Sequence, residues 1–209
     1  MFLHLLVRTL QSCIDVIFPP STDILLVREA GINTLFARGR LHEVTGIHTL
    51  LPFQDPIVRA CIHEAKFHEN KKAITMLSKV LERHLNTLPH REYLLIPIPL
   101  SRARFRERGH NQVASVAKIA MTELKNVMLV ENVLVRTRHT KPQTDLPKNK
   151  RLQNVADAFG IRDKNSPRLK GAHIILLDDV LTTGATMNAA RATLALHKPA
   201  SITCVALAH

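Results

Sequence analysis

The sequence predicts an α/β fold, a mostly parallel sheet flanked by helices with a short helical extension at the N-terminus. Three observations carry this. Ile174-Ile175-Leu176-Leu177 is a short, continuous apolar run that opens on β-branched residues, the pattern of a strand buried on both faces. Tyr93–Ile98, YLLIPI, is a second run of the same kind. Between the strand-like runs lie segments with apolar residues three and four apart, such as Ile74, Leu77, Val80, Leu81 and Leu85, which is helical spacing. Strands alternating with helices close into a parallel sheet, and 209 residues at 45% hydrophobic suffice for one such core.

In chain order, Leu3, Leu6, Val7, Leu10, Ile14 and Ile17 mark one face of an amphipathic helix that Pro19-Pro20 ends. Residues 21–42 show no clear period and read as an irregular connector with short elements. This divides the chain into an N-terminal part, 1–42, and a main domain, 43–209. Residues 43–53 read as one strand. Pro56 is placed to open a helix reaching Lys66, and a second helix spans Lys71 to Leu88. The strand Tyr93–Ile98 leads into a basic loop, and a helix follows from Asn111 to Leu124. Val133–Val135 is a short strand. Residues 136–151, RTRHTKPQTDLPKNKR, form a long, basic, proline-punctuated loop suited to a lid over an anionic ligand. After a surface turn at Lys164–Lys170 comes the strand at Ile174, then a helix running to His197 ahead of Pro199. A last strand covers Ile202 to Leu207.

Composition narrows the function classes. Twenty-nine Lys and Arg against 17 acids give a formal charge of +12, which favours polyanionic partners, a phosphorylated sugar and a nucleic acid among them. One Tyr and no Trp leave little for base stacking. No apolar run reaches the 18 residues of a membrane span. The apolar start is interrupted by His4 and Arg8 and lacks a basic cluster and a cleavage site, so a cytoplasmic location is expected. Cys13, Cys61 and Cys204 are single and far apart, which supports neither a disulfide framework nor a CxxC metal pair.

The chemistry concentrates in residues 173–187, HIILLDDVLTTGATM. The apolar run places Asp178 and Asp179 at the C-terminal edge of a parallel sheet, where ligands bind in open α/β folds. The small residues after them bring backbone N–H groups, hydroxyls and a helix N-terminus to one spot, which suits a phosphate. A solvated acid pair beside a helix cap is the plainer alternative, but it leaves the succession of acids and small-residue loop unexplained. Arg102, Arg104, Arg106 and Arg108 follow another strand end, and guanidinium forks suit phosphate oxygens.

The 173–187 stretch resembles the phosphoribosyl pyrophosphate (PRPP) loop of type I phosphoribosyltransferases. With VRACIHEAKFHENKKA, IPIPLSRARFRERGHNQ and RTRHTKPQTDLPKNKRLQNVADAF, it resembles the ComF family of competence-associated phosphoribosyltransferase-like proteins over roughly residues 43–209. The resemblance implies the type I phosphoribosyltransferase fold, PRPP as ligand with Mg²⁺ as cofactor, and a role in DNA uptake. It implies that Asp178 and Asp179 contact the ribose hydroxyls and hold Mg²⁺. Val180, Leu181, Thr182, Thr183, Gly184, Ala185 and Thr186 would form the loop around the 5′-phosphate. Lys66, Ser101, Arg102 and Arg104 fall on the pyrophosphate side, Arg108 braces them, and Arg138, Gln143 and Arg151 belong to the lid.

Two departures stand out. Members of the family often carry a cysteine-rich zinc segment ahead of this domain. Here only Cys13 precedes residue 60, and His4, His42 and His48 offer no substitute spacing, so no zinc is expected. His110 stands where an apolar aromatic is usual. Two functions remain open from sequence: a phosphoribosyltransferase acting on an unread acceptor, and a non-catalytic competence factor binding single-stranded DNA. Competence or recombination proteins are possible partners of either, and the sequence does not set an oligomeric state.

Overall fold

A computed structural model of the chain describes residues 20–137, 158–162 and 168–209. The helix expected over Leu3–Ile17, the lid residues Arg138, Gln143 and Arg151, and the first part of the Lys164–Lys170 turn lie outside the described residues.

The expected connector is two helices, α1 (Thr22–Glu29) and α2 (Ile32–Arg38). The first is capped by the Ser21 hydroxyl, which accepts from Ile24 N at 3.3 Å. Val27, Ala30 and Leu35 sink into the main core, which is why so few apolar positions suffice to hold these short helices. The strand expected over 43–53 is a hairpin instead, β1 (His42–Val44) and β2 (Ile47–Leu51). Thr45 and Gly46 both have positive φ (51° and 75°), the signature of a tight two-residue turn.

Helices α3 (Pro56–Phe67) and α4 (Lys71–Leu85) lead to β3 (Tyr93–Pro97). The expected basic loop is a helix, α5 (Arg102–Arg108), capped by Ser101 and ended by Gly109 at φ 75°. Then come α6 (Gln112–Ala120), β4 (Val127–Leu129), β5 (Leu134–Arg136), β6 (Phe159–Ile161), β7 (His173–Val180), α7 (Ala185–Ala195) and β8 (Ser201–Ala208). The edge strand β4 carries too short a signal, VML, to be read from sequence.

The main sheet runs β1-β2-β8-β7-β3-β4, parallel throughout except for β1. Alternate residues of β7 serve opposite cores. Ile175 and Leu177 face α3, α4 and α6. Ile174 and Leu176 face α7 and the small antiparallel pair β5–β6. From β3 the chain moves outward to β4, and from β7 it moves the other way to β8. The C-terminal ends of β3 and β7 therefore flank the point where winding reverses, the place such sheets leave a crevice. Among the described residues no helix is long and apolar enough to cross a membrane. Cys61 and Cys204 are buried free thiols.

Candidate functional site

A cleft of about 540 Å³ opens at that reversal point. Asp178 and Asp179 end β7 and form its floor. The backbone locks both side chains: Asp179 N donates to Asp178 Oδ1 at 2.9 Å, and Val180 N donates to Asp179 Oδ1 at 2.7 Å. Gln112 Nε2, in the first turn of α6, donates to Asp179 Oδ2 at 2.6 Å. Lys66 Nζ lies 3.5 Å from the same oxygen. Burial, together with the neighbouring Asp179 carboxylate, raises the pKa of Asp178. Two carboxylates thus face one cavity, with Lys66 the one cation in salt-bridge range among the described residues, a donor set that suits a hard divalent ion with oxygen ligands.

The cations stand opposite. Arg59, Lys66, Arg104, Arg108 and Arg136 line the cleft. Burial lowers the pKa of both Arg108 and Arg136, and each is lowered further by the charge of Arg104. Arg108 Nε and Arg136 Nε are buried without a hydrogen-bond partner among the described residues. Arg108 stacks over Phe67 at 4.9 Å and Arg136 over Phe159 at 5.2 Å, so ring faces hold the guanidinium groups in position. Mutually repelling guanidinium groups with unused donors make a site for a multiply charged anion.

The third part is the loop between β7 and α7. Gly184 is buried at φ 73°, a conformation that side-chain-bearing residues rarely adopt, and it starts α7. Asp178, Val180, Leu181, Thr182, Gly184, Thr186 and Met187 enclose a small hollow at the N-terminus of that helix. Exposed N–H groups and the helix dipole there favour a phosphate group.

Of the residues expected from sequence, Lys66, Arg104, Arg108, Asp178, Asp179, Val180, Thr182 and Thr186 converge on the cleft, and Leu181 and Gly184 on the adjoining hollow. Thr183 is exposed, its hydroxyl 3.4 Å from Ala185 N as acceptor. Ser101 is spent on capping α5, accepting from Arg104 N at 3.3 Å. Arg102 turns away. On a helix, positions four apart share a face, so Arg104 and Arg108 line this cleft while Arg102 and Arg106 line a neighbouring cavity with Phe105 and Arg162. Gln112 and Arg59 are not among the expected residues; Arg136, expected as the first residue of the basic lid loop, instead ends β5 and lines the cleft. Gln112 stands in the quoted GHNQ block, but its partner is 67 residues away, and nothing local signals the contact.

A phosphoribosyl transferase domain model matches residues 96–209, which include the end of β3, α5, β7 and the loop to α7. The chain belongs to the phosphoribosyltransferase domain family. Curated relatives sharpen this. Competence protein F of Haemophilus influenzae is 34% identical over 45% of this chain and 40% of its own length. Competence protein ComFC of Bacillus subtilis is 35% identical over 57% of this chain and 45% of its own. The DNA utilization protein YhgH of Escherichia coli K12 is 29% identical over 63% of this chain and 58% of its own. The chain spans about half the length of these relatives. Over the matched part it is similar to the ComF-type competence proteins.

Proposed function

We propose that the cleft binds PRPP with Mg²⁺, and that the protein serves the uptake or processing of DNA in the cytoplasm. One observation carries the ligand reading. A carboxylate pair, a guanidinium cluster with unused donors and a small-residue helix N-terminus meet in one crevice. PRPP presents a ribose diol, a pyrophosphate and a 5′-phosphate, one for each of these three surfaces. The DNA reading leans on the names of the competence and DNA utilization relatives.

In this reading the loop Thr182–Thr186 holds the 5′-phosphate and Asp178 and Asp179 hold the ribose hydroxyls. Arg104, Arg108, Arg136 and Lys66 neutralise the pyrophosphate. Displacement of pyrophosphate from ribose C1 passes through an oxocarbenium-like state, so the same cations stabilise the charge that grows on the leaving group. The acid pair favours the positive charge on the sugar. Mg²⁺, when bound, supplies further neutralisation of pyrophosphate oxygens.

Titration calorimetry with PRPP and Mg²⁺ tests the binding. Asp178→Asn/Asp179→Asn is expected to weaken PRPP binding at least tenfold, and equal affinity in the two proteins would sink the assignment. Release of pyrophosphate in the presence of nucleobases separates a transferase from a binding protein.

A second reading, a single-stranded DNA-binding competence factor, is favoured by one further feature. Arg102, Arg106 and Arg162, all exposed, and half-exposed Phe105 line the cavity beside the cleft. They give a polyanion a basic surface that does not pass through the acid pair.

A further inference from the structure

A second cluster of donors lies at the rim of the cleft, around the last turn of α3. His63, Glu64 and His68 each present a ligand-type atom, all within 4.8 Å of one another. The cluster involves no cysteine and lies apart from the Asp178–Asp179 pair.

Glu64 is the informative member. Its side chain is 1% exposed, yet Oε1 has no hydrogen-bond partner among the described residues, while Oε2 accepts from Asn70 Nδ2 at 3.0 Å. A buried carboxylate oxygen without a partner is costly, and native structures rarely leave one so. His68 Nε2 lies 3.8 Å from that oxygen. That is beyond hydrogen-bond range. It is close to the separation of two atoms that share an ion, about 3.3 Å for tetrahedral bonds of about 2.0 Å. The remaining few tenths of an ångström fall within side-chain rotation, since His63 and His68 are about half exposed (47% and 52%).

The surroundings match a metal-binding histidine. Asp23, on α1, places Oδ2 3.0 Å from His63 Nδ1. A carboxylate on one ring nitrogen fixes the tautomer with the lone pair on the other, Nε2, and orients the ring. The chain turn that delivers His68 and Asn70 to Glu64 runs through Glu69, a non-glycine residue at φ 48°. Both His68 N and Asn70 N donate to Glu64 O, at 3.1 and 3.2 Å, which fixes that turn over the carboxylate. Lys66 does not compete for the cluster, because its ammonium group points to Asp179.

We propose that His63, Glu64 and His68 form a binding site for a divalent transition-metal ion of the zinc class, with Asp23 as its outer-shell support. Two imidazoles and one carboxylate favour Zn²⁺ over Mg²⁺, and three protein ligands leave a coordination position open. Because His63 also lines the cleft, the ion sits at the cleft rim, and through Asp23 it ties α1 to α3. The absence of zinc expected from sequence rested on the cysteines and on the spacing of His4, His42 and His48; this donor set is assembled from two helices and a turn.

The test uses the full chain, dialysed against Zn²⁺ in a large excess of Mg²⁺ and then assayed for bound metal. Wild type is expected to retain one Zn²⁺ per chain. His63→Gln/His68→Gln, two half-exposed positions that leave the buried Glu64 in place, is expected to retain less than a tenth of that. Asp178→Asn/Asp179→Asn should retain it fully, and Asp23→Asn should weaken it about 10- to 100-fold. Co²⁺ in place of Zn²⁺ should give visible absorption that the histidine variant lacks. No retention by wild type overturns the proposal. So does full retention by the histidine variant, which puts the ion on other donors, or loss in the aspartate variant, which puts it on the cleft floor.

Discussion

At the scale of single residues, three histidines show how little an isolated side chain reveals. His110, expected as a substitute for an aromatic, places its two ring nitrogens 2.9 Å from Arg108 O and Ala65 O, and the ring N–H donates to one of these carbonyls. Its ring stands between the end of α5 and α3, a polar contact that an apolar aromatic cannot make. His68 gains its meaning only from the buried oxygen beside it. His84 is 7% exposed, its Nε2 has no partner among the described residues, and its ring lies 5.5 Å from that of His48. Burial, with a contribution from the charge of His48, lowers its pKa to about 4. The ordinary value is about 6.5, so between pH 6.5 and 4 the unfolded chain takes up a proton that the folded chain refuses. Stability is therefore complete above pH 6.5 and falls as the pH drops to 4, by an amount on the order of 3 kcal/mol from this group. Urea unfolding across that range should show the fall. His84→Phe should flatten it, and an unchanged slope in that variant would refute the assignment.

At the scale of elements, capping decides more than propensity. Helix α3 carries Lys66, His63 and Glu64, and its start is fixed by Asp55. The Asp55 side chain accepts from Ile57 N at 2.9 Å, Val58 N at 3.2 Å and Arg38 Nε at 2.6 Å. One carboxylate thus caps α3 and anchors α2 to it. Asp55→Ala should cost about 1–2 kcal/mol in chemical denaturation. Asp55→Asn, which keeps a cap oxygen, should recover much of that; equal losses would mean that the ion pair, not the cap, holds the element. Helix α5 is the case where element type changes function. As a loop, its four arginines would share one ligand. As a helix between the Ser101 cap and Gly109, it deals them in pairs to two cavities.

At the scale of the whole molecule, the +12 charge far exceeds the need of one sugar phosphate. Its placement matters: the cleft cations are opposed by Asp178 and Asp179, whereas Arg102, Arg106 and Arg162 gather in the next cavity. From the proposed DNA role, anisotropy with a labelled single strand should show log affinity falling with log salt, by roughly 0.7 per phosphate contacted. With few aromatics to stack, the salt term should dominate. Arg102→Ala/Arg106→Ala should weaken DNA binding severalfold and leave PRPP affinity unchanged. A flat salt response would remove the electrostatic argument, and full competition by PRPP with Mg²⁺ would return the DNA to the cleft.

The sequence by itself determined the parallel α/β sheet, the strand at Ile174–Leu177 and the succession of Asp178, Asp179 and the Thr182–Thr186 loop, because each is written in contiguous residues. Apolar runs, a proline at a helix start and a glycine at a positive φ act within a few positions of chain, so they are legible there. The tertiary structure decided what depends on distance. It paired Gln112 with Asp179, brought Arg136 to the cleft, split the arginines of α5 and set Asp23 against His63. It also made two helices of residues that showed no period, since α1 and α2 are held by a core built elsewhere. Those contacts are specified by packing between elements far apart in sequence, and no local pattern encodes them.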